Sequence, residues 1–269
     1  MRDPGAFAAV VLAGDRRPDD PVARAAGVPS KSLVPVGGRA MVLRVLDALG
    51  ASRQVGTRVL CGPERSMLAR EAELGRRIGA GQIAWVEPRA TPSLSAASAL
   101  ETVPAGVPVL LTTADHALLR PDIVDYFCAG ARAADADVAV AVTPYELVKA
   151  AYPDTRRTAI RLRDGAFCGS NLFAFLTPAS RTAVGFWRRV EQGRKRPLRL
   201  VAGALGWVAV LRYGLGRMTL DEGLARVSGR MGLRVAAVTL PFPEAAVDVD
   251  TLDDLRLVRA IVGDGAPSD

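Results

Sequence analysis

A continuous apolar run near the start of the chain constrains the fold most. Residues Phe7–Ala13 carry no polar side chain, and the run ends at Gly14, where a polar loop begins. Successive strand residues point to opposite faces, so such a run predicts a strand that is covered on both sides. Val109–Thr113 opens with a second run of this kind. Strands of this type occur in parallel sheets between layers of helices, and the sequence therefore predicts an α/β fold.

Strand-like and helix-like segments alternate along the chain, as in a doubly wound α/β sheet. The predicted strands are Phe7–Ala13, Gly56–Cys61, Gln82–Val86, Val109–Thr113, Asp137–Val142, Thr158–Arg163, Asn171–Phe175, Arg234–Thr239 and Ala246–Val249. The predicted helices are Met41–Leu49, Glu64–Ile78, Ser93–Thr102, Pro121–Ala133, Ala179–Glu191, Thr219–Met231 and Leu252–Val262. With 269 residues and no linker-like stretch, we expect a single domain over 1–269, with a basic helical insertion at about 178–232.

The net charge of +7 is concentrated in that insertion, because residues 188–199 alone carry +5. Few aromatic residues accompany these arginines, which argues against a nucleic-acid partner. Together with Trp187 and the apolar run Leu200–Leu211, the segment could lie on an anionic membrane surface. The alternative is a helix packed on the domain with solvated arginines. Neither reading involves a membrane span, for which Leu200–Leu211 is too short.

Cysteine usage bears on the compartment. Cys61, Cys128 and Cys168 have neither metal-ligand spacing nor an obvious pairing. We expect reduced thiols that fill the core of a cytoplasmic protein, with peripheral attachment to the inner membrane surface as the alternative location.

The first constellation with chemical meaning follows the first strand. Loop amides after Gly14 can cradle phosphate oxygens, and Arg16, Arg17 and Lys31 can neutralise them. Lys31 is informative because the chain has 32 arginines and three lysines, so a lysine here suggests a need for a compact ammonium. An ordinary strand-to-helix connection would explain the glycine loop equally well.

Acidic residues form two further constellations at strand ends. Asp115 follows the strand Val109–Thr113, and Asp248 and Asp250 alternate within a later strand-like segment. Carboxylates at the carboxyl ends of strands can ligate Mg²⁺. The alternatives are a turn-forming Asp115 and an exposed Asp248. Thr251 and Asp254 are spaced as a capping box that opens the last helix.

These segments together resemble a known family. "VVLAGDRRPDD…PSKSLVPVGGRAMVLRVLDAL" is similar to the opening signature of the molybdenum cofactor guanylyltransferase-like (MobA-like) NTP transferases, in the GT-A-like nucleotidyltransferase superfamily. "PVLLTTADHALL" and "VDVDTLDDL" resemble its two metal-aspartate motifs. The resemblance implies a three-layer α/β/α, Rossmann-like fold with a mixed, mostly parallel central sheet.

The resemblance also implies roles for individual residues. Lys31, Arg16 and Asp115 would be catalytic, and Asp115 and Asp250 would hold Mg²⁺. The nucleotide would contact Leu12, Ala13, Gly14, Asp15, Arg17 and Ser95. The sequence departs from the family at Asp15, where a second glycine is common. The alternatives for Asp15 are a metal ligand, a contact to the second substrate, or a loop that works differently.

The implied reaction transfers a nucleoside monophosphate from a nucleoside triphosphate to a phosphorylated small molecule and releases pyrophosphate. CTP is the first choice of substrate and GTP the next. Arg156, Arg157 and Asn171 are candidates for binding the acceptor, although paired arginines are also commonly solvated. A glycosyltransferase of the same broad fold and a non-catalytic nucleotide-binding regulatory protein remain alternatives.

Overall fold

The computed structural model describes residues 6–15, 17, 19–193 and 212–263. Its strands are β1 (Phe7–Leu12), β2 (Pro35–Val36), β3 (Arg39–Ala40), β4 (Val55–Cys61), β5 (Ala84–Val86), β6 (Val109–Thr113), β7 (Val138–Pro144), β8 (Ile160–Leu162), β9 (Gly165–Phe175) and β10 (Val235–Thr239). Its α-helices are α1 (Pro21–Ala25), α2 (Met41–Ala51), α3 (Arg65–Leu68), α4 (Ala72–Gly79), α5 (Pro92–Glu101), α6 (Pro121–Ala133), α7 (Tyr145–Ala151), α8 (Ala183–Gly193), α9 (Leu220–Met231) and α10 (Leu252–Val262).

One large sheet organises these elements. Its strands follow the order β10-β7-β9-β6-β1-β4-β5, with β8 paired to β9. Strand β9 runs antiparallel to β6, β7 and β8, whereas the other neighbouring strands of this sheet are parallel. The prediction of a mixed, mostly parallel sheet is confirmed.

Strand β1 lies between two apolar layers. Ala9 and Val11 belong to a cluster that includes residues of α2 and α6, whereas Val10 and Leu12 belong to a cluster with α5. Every residue of β1 is at most 9% exposed. The side chains of the apolar run thus pack against helices on both faces of the sheet. The predicted arrangement of helices on both sides is confirmed.

One predicted strand, Ala246–Val249, is wrong. A 3₁₀ turn occupies Pro243–Ala246, and the residues that follow are extended but pair with no strand in the described parts of the chain. Val247 and Val249 are nevertheless buried, in a cluster with Leu255 and Val258 of α10. Their alternating burial comes from packing in this cluster, which also contains Val34 and Met41, and not from strand pairing, which is why the sequence resembles a strand.

The predicted helix Glu64–Ile78 is divided into α3 and α4. Glu71 interrupts it with a φ of −125° and a ψ of 91°, and the Glu71 carboxylate accepts a hydrogen bond from the Glu73 N–H at the start of α4. This side-chain hydrogen bond caps α4, in place of the backbone hydrogen bonds that would continue a single helix. Helix α7 was not predicted, and β9 is longer than the predicted Asn171–Phe175.

The described part of the basic segment packs on the domain. Val184 and Trp187 of α8 join the cluster that contains α5, and the Ser93 hydroxyl donates to the Glu191 carboxylate. Residues 194–211, which include four of the basic residues and the apolar run, lie outside the described residues. Among the helices described, none is long and apolar enough to cross a membrane.

Candidate active site

The candidate site lies where β1 and β6 end. These strands are parallel neighbours, with Leu12 opposite Thr113, and the Ala114 N–H donates to the Leu12 carbonyl at 2.9 Å. The residues that follow both strands therefore emerge at one edge of the sheet. This is the edge at which ligands bind in open α/β sheets.

The Lys31 ammonium lies between two carboxylates at this edge. Its Nζ is 2.8 Å from Asp115 Oδ2 and 2.8 Å from Asp250 Oδ1. The side chains of Lys31 and Asp115 are 16% and 18% exposed, whereas that of Asp250 is 57% exposed. Burial alone would lower the pKa of Lys31, but the carboxylates, Asp115 foremost, outweigh burial and raise this pKa above its ordinary value.

Asp15 fixes the turn that presents Lys31. Its Oδ1 accepts a hydrogen bond from the Lys31 backbone N–H at 3.0 Å, at the start of the 3₁₀ turn Lys31–Leu33. The residue that departs from the family pattern thus touches the backbone of the central lysine. Arg17 is exposed, and Arg16 lies outside the described residues.

The backbone of the loop after β1 runs through a narrow space. A Cβ added at Gly14 would lie 3.0 Å from the Cβ of Pro88, and one added at Gly62 would lie 2.7 Å from the Gly14 nitrogen. Gly62 also has a φ of +92°, which favours glycine. Leu12 and Ala13 are buried, and the Ala13 N–H donates to the Cys61 carbonyl at 2.8 Å.

The Asp250 backbone is held by the capping box of α10. The Thr251 hydroxyl accepts from the Asp254 N–H at 3.2 Å, while Asp254 Oδ2 accepts from the N–H groups of Thr251 and Asp250 at 2.8 and 3.2 Å. The predicted capping box is confirmed. The Val249 N–H also donates to the Asp115 carbonyl at 3.1 Å, which joins the segment to the end of β6.

Arg157 and Asn171 lie against Asp248. The Arg157 guanidinium donates to the Asp248 carboxylate and to Asp254 Oδ1, and Asn171 Nδ2 donates to Asp248 Oδ2 at 2.8 Å. Burial raises the pKa of Asp248, and the Asp115 carboxylate raises it further. Arg156 is exposed. Sequence reasoning did not find this contact, because nothing in the local pattern pairs residue 157 with 248.

Ser95 lies in α5, the helix that packs against Val10 and Leu12 of β1. It is 4% exposed, and its hydroxyl accepts a hydrogen bond from the Arg89 N–H at 2.8 Å. The contact holds the loop between β5 and α5, which also contains the Pro88 that abuts Gly14.

The single histidine is a buried core residue. His116 is 1% exposed, and burial lowers its pKa to about 4, against the opposing effect of Asp115. Its imidazole is therefore neutral at physiological pH and is shielded from solvent.

The carboxylates suit a hard cation. Asp115 Oδ1 is buried and has no hydrogen-bond partner among the described residues. In the parts of the chain that the structure describes, no three His, Cys, Asp or Glu side chains form a metal cage. Mg²⁺ is commonly bound by one or two carboxylates together with substrate phosphates and water, so Asp115 and Asp250 fit this mode.

A family model described as MobA-like NTP transferase domain matches residues 9–235. The chain belongs to the MobA-like NTP transferase family. The family named from the sequence motifs is thereby confirmed, and with it membership of the nucleotidyltransferases. No curated protein matches the chain significantly.

Solved structures resemble this MobA-like protein over nearly its whole length. A hypothetical transferase from Thermus thermophilus is 35% identical with a TM-score of 0.77, and the match covers 93% of this chain and 99% of that one. A 4-diphosphocytidyl-2C-methyl-D-erythritol synthase from Anaerococcus prevotii is 12% identical, with a TM-score of 0.57 and coverage of 96% and 99%.

A third similar structure is a CMP:2-keto-3-deoxy-manno-octonic acid synthetase complexed with CTP. It is 14% identical to this MobA-like chain, with a TM-score of 0.55 and coverage of 96% and 98%. At these identities the two synthases show the fold alone, and the predicted nucleotidyltransferase fold is confirmed.

Proposed function

We propose that the protein transfers a nucleoside monophosphate from a nucleoside triphosphate to a phosphorylated small molecule and releases pyrophosphate. The observation that carries this proposal is the Lys31 ammonium between Asp115 and Asp250, at the edge where β1 and β6 end. Family membership supports the reaction class.

In the proposed reaction, an acceptor phosphate oxygen attacks the α-phosphorus, and the bond from that phosphorus to the bridging oxygen breaks. Both reactants are anions, so charge neutralisation and positioning should supply most of the rate. Lys31 and Arg16 or Arg17 would neutralise the triphosphate, and the amides of the loop that begins at Gly14 would contact its oxygens.

Asp115 and Asp250 would hold Mg²⁺. When bound, this ion supplies Lewis-acid polarisation of the phosphoryl oxygens. The reaction as proposed needs no side-chain base, and the buried, neutral His116 is given no role in it.

CTP is the proposed substrate and GTP the second choice. The similar synthetase that was solved with CTP supports a cytidine nucleotide, although at 14% identity. We propose that Ser95 lies near the nucleotide base, because it holds the loop between β5 and α5. Arg156 is the proposed contact for the acceptor.

The location proposed with this activity is the cytoplasm. The three cysteines are unpaired and buried, as expected of a reducing compartment. Peripheral membrane contact is the alternative: Trp187 packs against the domain, whereas residues 194–211 of that segment lie outside the described residues. Co-sedimentation with anionic liposomes would argue for it.

Pyrophosphate release from each of the four NTPs, with and without phosphorylated acceptors, tests the proposal. We expect release that depends on an acceptor and favours one base. Asp115→Ala should lower the rate at least about 10³-fold while cooperative unfolding persists. Asp122→Ala is the matched control, because its exposed carboxylate pairs with Arg120 away from the site.

Three outcomes would contradict the proposal. A wild-type rate in Asp115→Ala would exclude the site, and hydrolysis of a sugar nucleotide would indicate a glycosyltransferase. Nucleotide binding without any turnover would indicate a regulatory protein.

A further inference from the structure

Arg157 is an arginine whose guanidinium is directed into the protein. Its side chain is 9% exposed. Besides the contacts with the Asp248 carboxylate and with Asp254 Oδ1, its Nη2 donates to the Asp248 backbone carbonyl at 2.7 Å. An arginine fork that is bonded to both side chain and backbone fixes the geometry of the segment that it touches.

The two carboxylates bonded to Arg157 flank Asp250 in the sequence. Asp248 precedes it by two residues, and Asp254 follows it by four. The second oxygen of Asp254 accepts from the Asp250 N–H at 3.2 Å. The backbone on both sides of Asp250 is therefore tied to one guanidinium.

Asn171 completes this arrangement from β9. It has a φ of +46°, a conformation that asparagine tolerates better than most residues, and its amide donates to Asp248 Oδ2 at 2.8 Å. Both carboxylate oxygens of Asp248 are thus engaged. Asp248 is held in place by the protein, whereas the Asp250 carboxylate extends to Lys31.

Charge supports the same conclusion. Asp115 and Asp250 both contact Lys31, and Asp248 lies two residues before Asp250, so three carboxylates are gathered at this edge of the sheet. Like charges at one site repel, and a paired cation offsets the repulsion. Arg157 supplies this cation beside Asp248, as Lys31 does beside the other two.

We propose that Arg157 is a positioning residue that holds the Asp250 carboxylate against Lys31 through its contacts with Asp248 and Asp254. The role rests on the proposed function, in which Asp250 is a Mg²⁺ ligand. Arg157 thereby acts on the reaction through Asp250, and not by binding the acceptor.

The rate at which an acylating reagent modifies Lys31 tests this role without nucleotide or metal. The chain has three lysines, so mass spectrometry resolves the Lys31 peptide, and the denatured protein gives the unprotected rate. Asp250→Asn sets the response to loss of one carboxylate. Arg120→Ala is the matched control. The Arg120 side chain is exposed, and it pairs with Glu244 in the 3₁₀ turn Pro243–Ala246.

We expect Arg157→Ala to raise the labelling of Lys31 about tenfold, because loss of the charge-assisted hydrogen bond to a displaced Asp250 carboxylate frees the ammonium for the reagent. The rate should approach that of Asp250→Asn, and Arg120→Ala should match the wild type. If Arg157→Ala does not unfold cooperatively, Arg157→Lys carries the test, because one ammonium cannot reach all three oxygens. We expect a rise of several-fold for it.

Labelling at the wild-type rate in the folded Arg157 variant would overturn the proposal. So would an Asp250→Asn variant whose Lys31 is as protected as in the wild type. In an active enzyme, Arg157→Ala should lower kcat and leave the KM for the acceptor within about threefold. A raised acceptor KM at unchanged kcat would assign Arg157 to the acceptor instead and would also overturn the proposal.

Failure of this inference is distinguishable from failure of the proposed function. Increased labelling of Lys31 in a protein that transfers no nucleotide would contradict the function alone. Unchanged labelling in an active transferase would contradict the positioning role alone.

Discussion

Lys31 brings together residues that are far apart in the chain. Its ammonium contacts Asp115 and Asp250, and its backbone N–H is bonded to Asp15. Both side-chain contacts are made by the one Nζ atom, a geometry that suits a compact ammonium. In a chain with 32 arginines, this is a physical reason for a lysine at the position.

Lys31→Arg should therefore impair the enzyme severely although it keeps the charge. The planar guanidinium is larger and cannot occupy the point that lies 2.8 Å from both carboxylate oxygens. We expect kcat to fall at least about 100-fold with little change in Tm, measured by pyrophosphate release and thermal unfolding.

Lys149→Arg is the control for this substitution. Its ammonium donates to the backbone carbonyls of Pro153 and Thr155, which precede Arg156 and Arg157 in the chain, so we expect a much smaller fall in activity than for Lys31→Arg. A Lys31→Arg enzyme with wild-type kcat would show that any positive charge suffices there.

The buried thiols give a prediction on reactivity. Burial raises the pKa of Cys61 to about 11 and that of Cys128 to about 12, so native protein at pH 8 holds both as thiols. Ellman's reagent should modify none of the three cysteines before unfolding and all three in denaturant. Rapid modification of native protein would contradict their placement in the core.

The same shifts fix the sign of an alkaline pH dependence. The unfolded chain releases these thiol protons near pH 9, whereas the folded chain retains them. The unfolded state thus binds fewer protons above pH 9, and the free energy of unfolding should fall as the pH rises from about 9 towards 11.

At the scale of elements, the start of α10 is where the cap of a helix and the candidate metal ligand meet. Thr251→Ala removes the hydroxyl that accepts from the Asp254 N–H and should lower the free energy of unfolding by about 1 kcal/mol. Urea unfolding measures the change. Thr251→Ser should stay near wild type, and equal stability of the alanine variant would contradict the capping role.

This helix also shows how far local patterns predict structure. The spacing of Thr251 and Asp254 predicts the capping box, and the sequence pattern predicts a helix over Leu252–Val262, as the structure has it. Both features depend on residues that are close together in the sequence. The wrong strand at Ala246–Val249 precedes it directly. Alternating burial arises there from packing in an apolar cluster that includes residues of α10, and a local pattern does not distinguish such packing from strand pairing.

At the scale of the whole molecule, the sheet brings residues from distant parts of the sequence together at one site. Parallel pairing of β1 with β6 places Gly14 and Asp115 at one edge, and the segment before α10 returns to that edge. Apolar runs predict strands that are buried on both faces. An aspartate that directly follows such a strand is then predicted to lie at the edge of the sheet where ligands bind. The order of the motifs could therefore identify the family.

The partners of charged side chains were beyond sequence reasoning. Sequence reasoning grouped Arg157 with Asn171 as acceptor candidates and joined neither to Asp248, because these contacts depend on how distant loops pack. The salt bridge of Lys31 to both aspartates is long-range in the same way. Motifs restrict which residues matter, and the three-dimensional arrangement decides which of them act together.

The central claim is transfer at the α-phosphorus by the site around Lys31, and the fate of a labelled phosphate tests it most directly. With CTP labelled at the α-phosphate and, separately, at the γ-phosphate, we expect only the α-label in the acceptor product, and the γ-label in pyrophosphate. Asp115→Ala should transfer neither. Transfer of the γ-label, or of the α-label at the wild-type rate by Asp115→Ala, would contradict the account.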